Sequence, residues 1–462
     1  MVLVTIDTLR ADHLGVYGYG RNTSPTLDRL GSEGAMVERA YSQSNSTNPS
    51  HATILTGLPV KSHGVTDNRV RFAREDVQTL AESFSRVGYQ TAAVVSVGHL
   101  NETHSGLGRG FETFVPVRPR HHEDAGVSPD WTRSARASVD VALDWVQGVD
   151  EGPFFLWVHL FDPHTAYVPE PEFAAALAGE RVGRVATMDA LYHHEITPGD
   201  ALAKNPDATA MEDSLYRAVY RHVVPIRPLI YNGVDLTVAE VASLRRLYDA
   251  EIAQTDAAVA SLLAGVSDRN PLCVVTADHG ENFGKGGVYC DHRSLYEDSI
   301  RVPLLFHWPG RISAGLRIPG PLVATDLVPT LLDLCGLEGG ADLPGESIAA
   351  ALLGTKRADA PRPFFVEHAN GAAVAMIDGS WKLILPTFTG DDPLVYRHAG
   401  VELYRLDEDP GEESNQVESE PDRTRQMTEA VLSWMSEGRV EVEPVATDPS
   451  VVRQLRSLGY VE

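Results

Sequence analysis

Three stretches of almost unbroken apolar residues each run into a carboxylate or an imidazole, and this repetition constrains the chain more than any other feature. Val2–Ile6 meets Asp7, residues 153–160 meet Asp162 and His164, and residues 272–277 meet Asp278 and His279. Short continuous apolar runs read as strands buried on both faces, the kind found in parallel sheets covered by helices. Residues 91–95 and 303–307 are two further runs of this type. Helical patterns separate them, so the chain is expected to form an α/β fold around a large, mostly parallel sheet. In such sheets ligands sit beyond the carboxyl ends of the strands. Distant segments would therefore deliver Asp7, Asp162, His164, Asp278 and His279 to one edge. Any one of these aspartates reads equally well as the cap of a following helix. Three together argue for a divalent cation: Mn²⁺, Zn²⁺, Mg²⁺ or Ca²⁺.

The rest of the chain follows the same logic. Ser24-Pro25 marks a helix start, with proline at the first helical position. Residues 237–263 keep helical spacing and are expected to end before Gly265. The irregular stretch 165–235 reads as an insertion or lid within a catalytic domain of residues 1–360. Beyond that, alternating runs at 364–368, 372–377 and 381–385 and a helix near 423–435 predict a small antiparallel subdomain over 361–462.

Composition removes several classes of partner. A net charge of −25 repels phosphate backbones and anionic lipid, so neither nucleic acid nor a membrane surface is expected. Three cysteines (Cys273, Cys290 and Cys335) at unpaired spacings supply no disulfide framework or zinc ribbon. No apolar run is long enough to span a bilayer. The N-terminus has no basic region followed by an apolar one, so the expectation is a cytoplasmic protein, with a removed leader left open. Oligomerisation with further copies of the chain is also left open.

The segment Ser44-Asn45-Ser46-Thr47-Asn48-Pro49-Ser50-His51 predicts a short helix, with Thr47 at its mouth and Gly57 ending it. Taken alone, a threonine there is an N-cap. With metal ligands nearby it becomes a hydroxyl nucleophile, helped by the positive end of the helix dipole.

These residues resemble the sulfatase branch of the alkaline phosphatase superfamily. The resemblance is carried by Asp7 with Arg10-Ala11-Asp12-His13-Leu14-Gly15, by Pro49-Ser50-His51 with Leu55-Thr56-Gly57, and by Asp278-His279-Gly280-Glu281. It continues through Tyr296-Glu297, Arg301-Val302-Pro303, Glu402-Leu403-Tyr404 and Asp409-Pro410-Gly411-Glu412, with Leu458-Gly459-Tyr460 as a terminal echo. It implies a central mixed sheet flanked by helices, a smaller C-terminal sheet, and metal-dependent attack on a small-molecule phosphate or sulfate ester. By position, Asp7, Asp278 and His279 are implied as metal ligands, and Thr47 as nucleophile and fourth ligand. His164 is implied as a contact to the substrate's anionic group, and His292 stands where many sulfatases bind substrate with lysine. Asn68 resembles an asparagine near the site in phosphonate and phosphodiester hydrolases, or is simply a turn residue. One metal is expected; a second site from Asp162, His164 and His292 is the alternative.

The departures bear on the chemistry. Sulfatases that use formylglycine carry Cys or Ser in a C/S-x-P-x-R motif, whereas here Thr47 and His51 hold the first and last of those places. No formylglycine is expected, because a threonine cannot become that aldehyde. The paired aspartates are reduced to Asp7-Thr8, and the lysine–histidine pair expected near Ser96 to His99 is missing or displaced. Threonine nucleophiles belong to phosphodiesterases and phosphoryl transferases of the superfamily. The sequence thus favours phosphodiester or phosphonate ester hydrolysis, with His164 or His292 as proton donor to the leaving group. A sulfatase without formylglycine, a phosphoryl transferase and a non-catalytic binding protein are the rivals.

Overall fold

The computed structural model describes residues 1–117, 132–165, 167–186, 236–356, 362–387 and 400–440. Eight strands form the central sheet, in the order Leu316–Ile318, Ala35–Val37, Leu304–His307, Cys273–Ala277, Val2–Ile6, Phe154–Leu160, Gln90–Val94 and Thr113–Val115. Leu304–His307 runs antiparallel to both neighbours, and the other pairings are parallel. The expected α/β fold with a mostly parallel mixed sheet is therefore present. The three expected strands that end in Asp or His are the three central ones, and every residue in them is buried. The edge strands 113–115 and 316–318, and strand 35–37 beside the latter, were not foreseen, because three-residue strands leave no periodic signal.

Register sets the site. Ile6 lies opposite both Leu160 and Ala277, so Asp7 and Asp278 leave neighbouring strands at the same level. Behind them runs the helix Val238–Val266, capped by Thr237 and Glu240 in a reciprocal capping box. It continues through Gly265, where termination was expected, because the glycine packs against Leu143: an added Cβ would lie 2.3 Å from Leu143 Cδ2. The first part of the expected insertion lies along this helix. The Val168 amide donates to Glu251 at 2.6 Å and the Glu170 amide to Gln254 at 2.7 Å. Residues 187–235, the remainder of that insertion, fall outside the described residues, as does the Leu458-Gly459-Tyr460 echo.

Four antiparallel strands (Phe364–Glu367, Ala373–Asp378, Trp381–Pro386 and Glu402–Arg405) form the C-terminal sheet, with the helix Pro421–Ser436 packed on one face. Its other face buries Lys382 completely, between Glu412 at 2.7 Å and Glu297 at 3.1 Å. Pairing satisfies a charge that could not otherwise be buried. This ties the sheet to the chain just beyond His292. Among the described residues no helix is long and apolar enough to cross a membrane.

Candidate functional site

Asp7, Asp278 and His279 are fully buried and converge at the strand ends. Asp278 spends Oδ1 on the amides of His279 (2.8 Å) and Thr8 (3.3 Å), which leaves Oδ2 facing inward. His279 Nδ1 donates to the Gly280 carbonyl at 3.1 Å, so in the neutral ring the lone pair is on Nε2. That nitrogen lies 3.4 Å from Asp278 Oδ2 and 3.7 Å from Asp7 Oδ1. Both Asp7 oxygens, Asp278 Oδ2 and His279 Nε2 have no hydrogen-bond partner among the described residues. Burial first, then the charges of Asp278 and Glu281, push the Asp7 pKa well above the usual carboxylate range. Unpaired buried carboxylates cost several kcal/mol apiece. Two acids and one imidazole nitrogen aimed at one point fit a divalent cation, whose charge they would balance.

The segment that carries Thr47 is built against this cluster. Thr47–Thr56 is a buried helix that ends on Gly57 with φ +72°. Ser46, not Thr47, is the N-cap residue, and its side chain makes no capping bond. Asn68 supplies that cap: its Oδ1 accepts from the Asn48 amide at 2.8 Å and from Ser46 Oγ at 3.0 Å. The buried Asn68 Nδ2 has no partner among the described residues, nor does Thr47 Oγ1. Thr47 is therefore not spent as a cap. Ser50 Oγ, one turn on, meets Ser42 Oγ at 3.0 Å, and Ser42 in turn donates to the Asp278 carbonyl.

His51, in the place of the family's arginine, has both nitrogens engaged. Nδ1 donates to the Thr47 carbonyl at 2.8 Å, and Nε2 accepts from Thr5 Oγ1 at 2.9 Å; that hydroxyl in turn accepts from Trp157 at 3.0 Å. His51 Nδ1 also lies 3.8 Å from Asp278 Oδ2, which sets the first turn of the helix beside the acids. Although His51, His159 and Asp278 could form a second ligand group, these bonds leave His51 no lone pair for a metal.

His164 stacks on Phe161, with ring centroids 4.5 Å apart, and lies 5.8 Å from His292, whose ring is 4.0 Å from that of His279. Burial lowers the His164 pKa to about 4 and that of His292 well below 6.5, favouring neutral rings. Asp162 is not gathered with them: its Oδ2 accepts the Ala135 amide at 2.6 Å, at the start of the helix Ala135–Gln147. That helix precedes Asp162 in the chain, so the contact is not the cap of a following helix that the sequence offered, and it engages one carboxylate oxygen of the residue named for a second metal site. One histidine, His159, was not singled out in the sequence, and a second, His99, stood in the stretch where a lysine–histidine pair was read as missing or displaced. His159, inside an apolar strand, places Nε2 3.4 Å from Asp7 Oδ2 while Nδ1 meets Ser96 Oγ at 2.9 Å. His99 is buried, and its carbonyl accepts from Asn48 Nδ2 at 3.1 Å. Each was legible only as a lone imidazole among apolar residues.

A mixed α/β sheet with a candidate acid–imidazole cation site and a hydroxyl at an adjoining helix mouth is an arrangement suited to metal-dependent ester hydrolysis. The sulfatase family profile matches residues 1–337, and the profile described as N-sulphoglucosamine sulphohydrolase, C-terminal, matches residues 284–437. The chain belongs to the sulfatase family, a branch of the alkaline phosphatase superfamily. It is similar to an N-acetylglucosamine-6-O-sulfatase of Bacteroides thetaiotaomicron, at 24% identity, covering 76% of this chain and 70% of that one. A solved structure in complex with its substrate D-glucosamine-2-N,6-O-disulfate superposes with a TM-score of 0.68 at 20% identity, covering 97% of this chain and 99% of the other. The phosphonate monoester hydrolase of Agrobacterium radiobacter superposes with a TM-score of 0.64 at 21% identity, covering 96% and 99%. Enzymes of this family bind a divalent metal, and the chain is a hydrolase acting on sulfuric or phosphoric esters.

Proposed function

We propose that this hydrolase cleaves phosphodiesters or phosphonate esters through unmodified Thr47. The observation that carries the reading is a fully buried threonine hydroxyl, without a partner among the described residues, on the first residue of a helix stitched to Asp278. A cation held by Asp7, Asp278 and His279, with Thr47 as fourth ligand, would lower the hydroxyl pKa and offset charge on the reacting group. The chain's own residues do the rest. The helix mouth favours the negative charge on the attacking oxygen and on the ester. Asn68 and His51 hold that mouth from outside and inside. His164 and His292 flank the ester; with each Nδ1 bonded to a backbone carbonyl and the rings neutral, one of them would take up a proton at Nε2 and pass it to the leaving group. Water then attacks the Thr47 ester at phosphorus.

Sulfate ester cleavage is the second reading, favoured by the named sulfatases among the relatives. The two are separated by turnover of bis-p-nitrophenyl phosphate, p-nitrophenyl phenylphosphonate and p-nitrophenyl sulfate in Mn²⁺. The first two should exceed the third, and Thr47→Ala should abolish all; efficient sulfate turnover alone would select the sulfatase reading.

A further inference from the structure

Asn45, two residues ahead of Thr47, is buried and bonded in three directions. Its Nδ2 donates to the His292 carbonyl at 2.9 Å, its own carbonyl accepts from His292 Nδ1, and its Oδ1 accepts the Ala369 amide at 2.7 Å. One side chain and its peptide thus join the turn that delivers Thr47, the loop that carries His292, and the turn following Phe364–Glu367 in the C-terminal sheet. The seam continues alongside, where the Glu367 amide donates to the Gln43 carbonyl at 3.0 Å.

The bond to the Asn45 carbonyl places the proton of a neutral His292 on Nδ1 and the lone pair on Nε2. A lysine ammonium is a flexible point charge with three donors and needs no such setting. An imidazole has a definite plane and tautomer, so replacing lysine by histidine here calls for a group that fixes both. The His292 ring lies 4.0 Å from that of His279 and 5.8 Å from that of His164, so its orientation bears on the proposed metal ligands and on the proposed ester-binding side at once.

We infer that Asn45 is a positioning residue: it sets the tautomer and plane of His292 and makes the C-terminal sheet part of the catalytic unit. The inference rests on the hydrolase reading of this site. It is tested on the full, Mg²⁺-saturated chain by ¹⁵N-histidine NMR, with the His292 signal assigned by its loss in His292→Gln. The wild type should show His292 protonated at Nδ1 and bare at Nε2. Asn45→Ala leaves the backbone carbonyl that accepts from Nδ1 but removes the side-chain bonds that clamp that carbonyl against the His292 loop, so it should mix the tautomers and lower kcat 10- to 100-fold, with KM and bound metal within twofold. Asn45→Asp keeps the acceptor for Ala369 and sets an acceptor against the His292 carbonyl in place of the donor; it should fold with a lower Tm and shift the His292 signal. It serves as the deciding variant if the alanine protein does not fold. A wild-type His292 protonated at Nε2, or variants with unchanged His292 signal and kcat, would overturn the inference. The NMR measurement needs no turnover, so failure of the hydrolase reading would show separately, as a wild type that cleaves none of the esters.

Discussion

His51 Nδ1 donates to the Thr47 carbonyl at 2.8 Å across one turn of a buried helix, fixing the Thr47 backbone from within the core. Removing the ring takes away the second bond to the Thr47 carbonyl, which keeps the helix bond from the residue 51 amide, and leaves the buried Thr5 hydroxyl proton without its acceptor, at about 1–3 kcal/mol. His51→Ala should therefore lower Tm by several degrees and reduce kcat at least tenfold, while metal content stays near wild type. Calorimetry and metal analysis on the same preparation check this.

Asp278 and His279 sit just past a buried strand, with their inward atoms unbonded by the rest of the described protein. Asp278→Asn and His279→Ala should each lose bound metal and activity and keep the native circular dichroism spectrum. Wild-type metal content by mass spectrometry in both variants would contradict the ligand assignment.

The metal count follows from where Asp162 spends its carboxylate. With Oδ2 on the Ala135 amide, one tightly bound equivalent is expected. His292→Ala should retain it while losing activity. Two equivalents in the wild type, one of them lost in His292→Ala, would show a second site.

Burial, opposed by the Ala135 amide and reinforced by Glu170, raises the Asp162 pKa from 3.8 to about 6. A carboxyl whose folded pKa is raised stabilises the fold fully below its unfolded pKa, and that contribution is lost as pH rises through the folded one. Wild-type stability should therefore fall between about pH 4 and pH 6 by an amount that Asp162→Asn does not show. Measured as Tm against pH, the variant should gain on the wild type across that window; parallel curves would contradict the assignment.

The central strands and the acids at their ends were legible because burial on both faces writes itself as an apolar run, and the polar residue that closes it stands out. The same contrast hid His159, which interrupts such a run and reads as part of it. Asn68 illustrates a different limit. Its place near the site was suggested by resemblance, but its service as cap for a helix that begins 21 residues earlier is a tertiary contact with no local pattern. His51 and Asn45 lie in the segment singled out for Thr47, yet their bonds run to Thr5, His292 and Ala369, which only the folded sheet brings near. The overextended helix at Gly265 shows packing against Leu143 overriding a glycine's usual preference for helix ends.

In the proposed function Thr47 attacks phosphorus as an unmodified side chain. The direct measurement is intact and peptide mass spectrometry of protein acid-quenched during turnover of bis-p-nitrophenyl phosphate with Mn²⁺. Before substrate is added, the peptide containing Thr47 should have its encoded mass. During turnover a fraction should carry one p-nitrophenyl phosphoryl group on Thr47, absent in Thr47→Ala. An oxidised Thr47 in the resting protein, or steady turnover with the label on another residue or on none, would contradict the account.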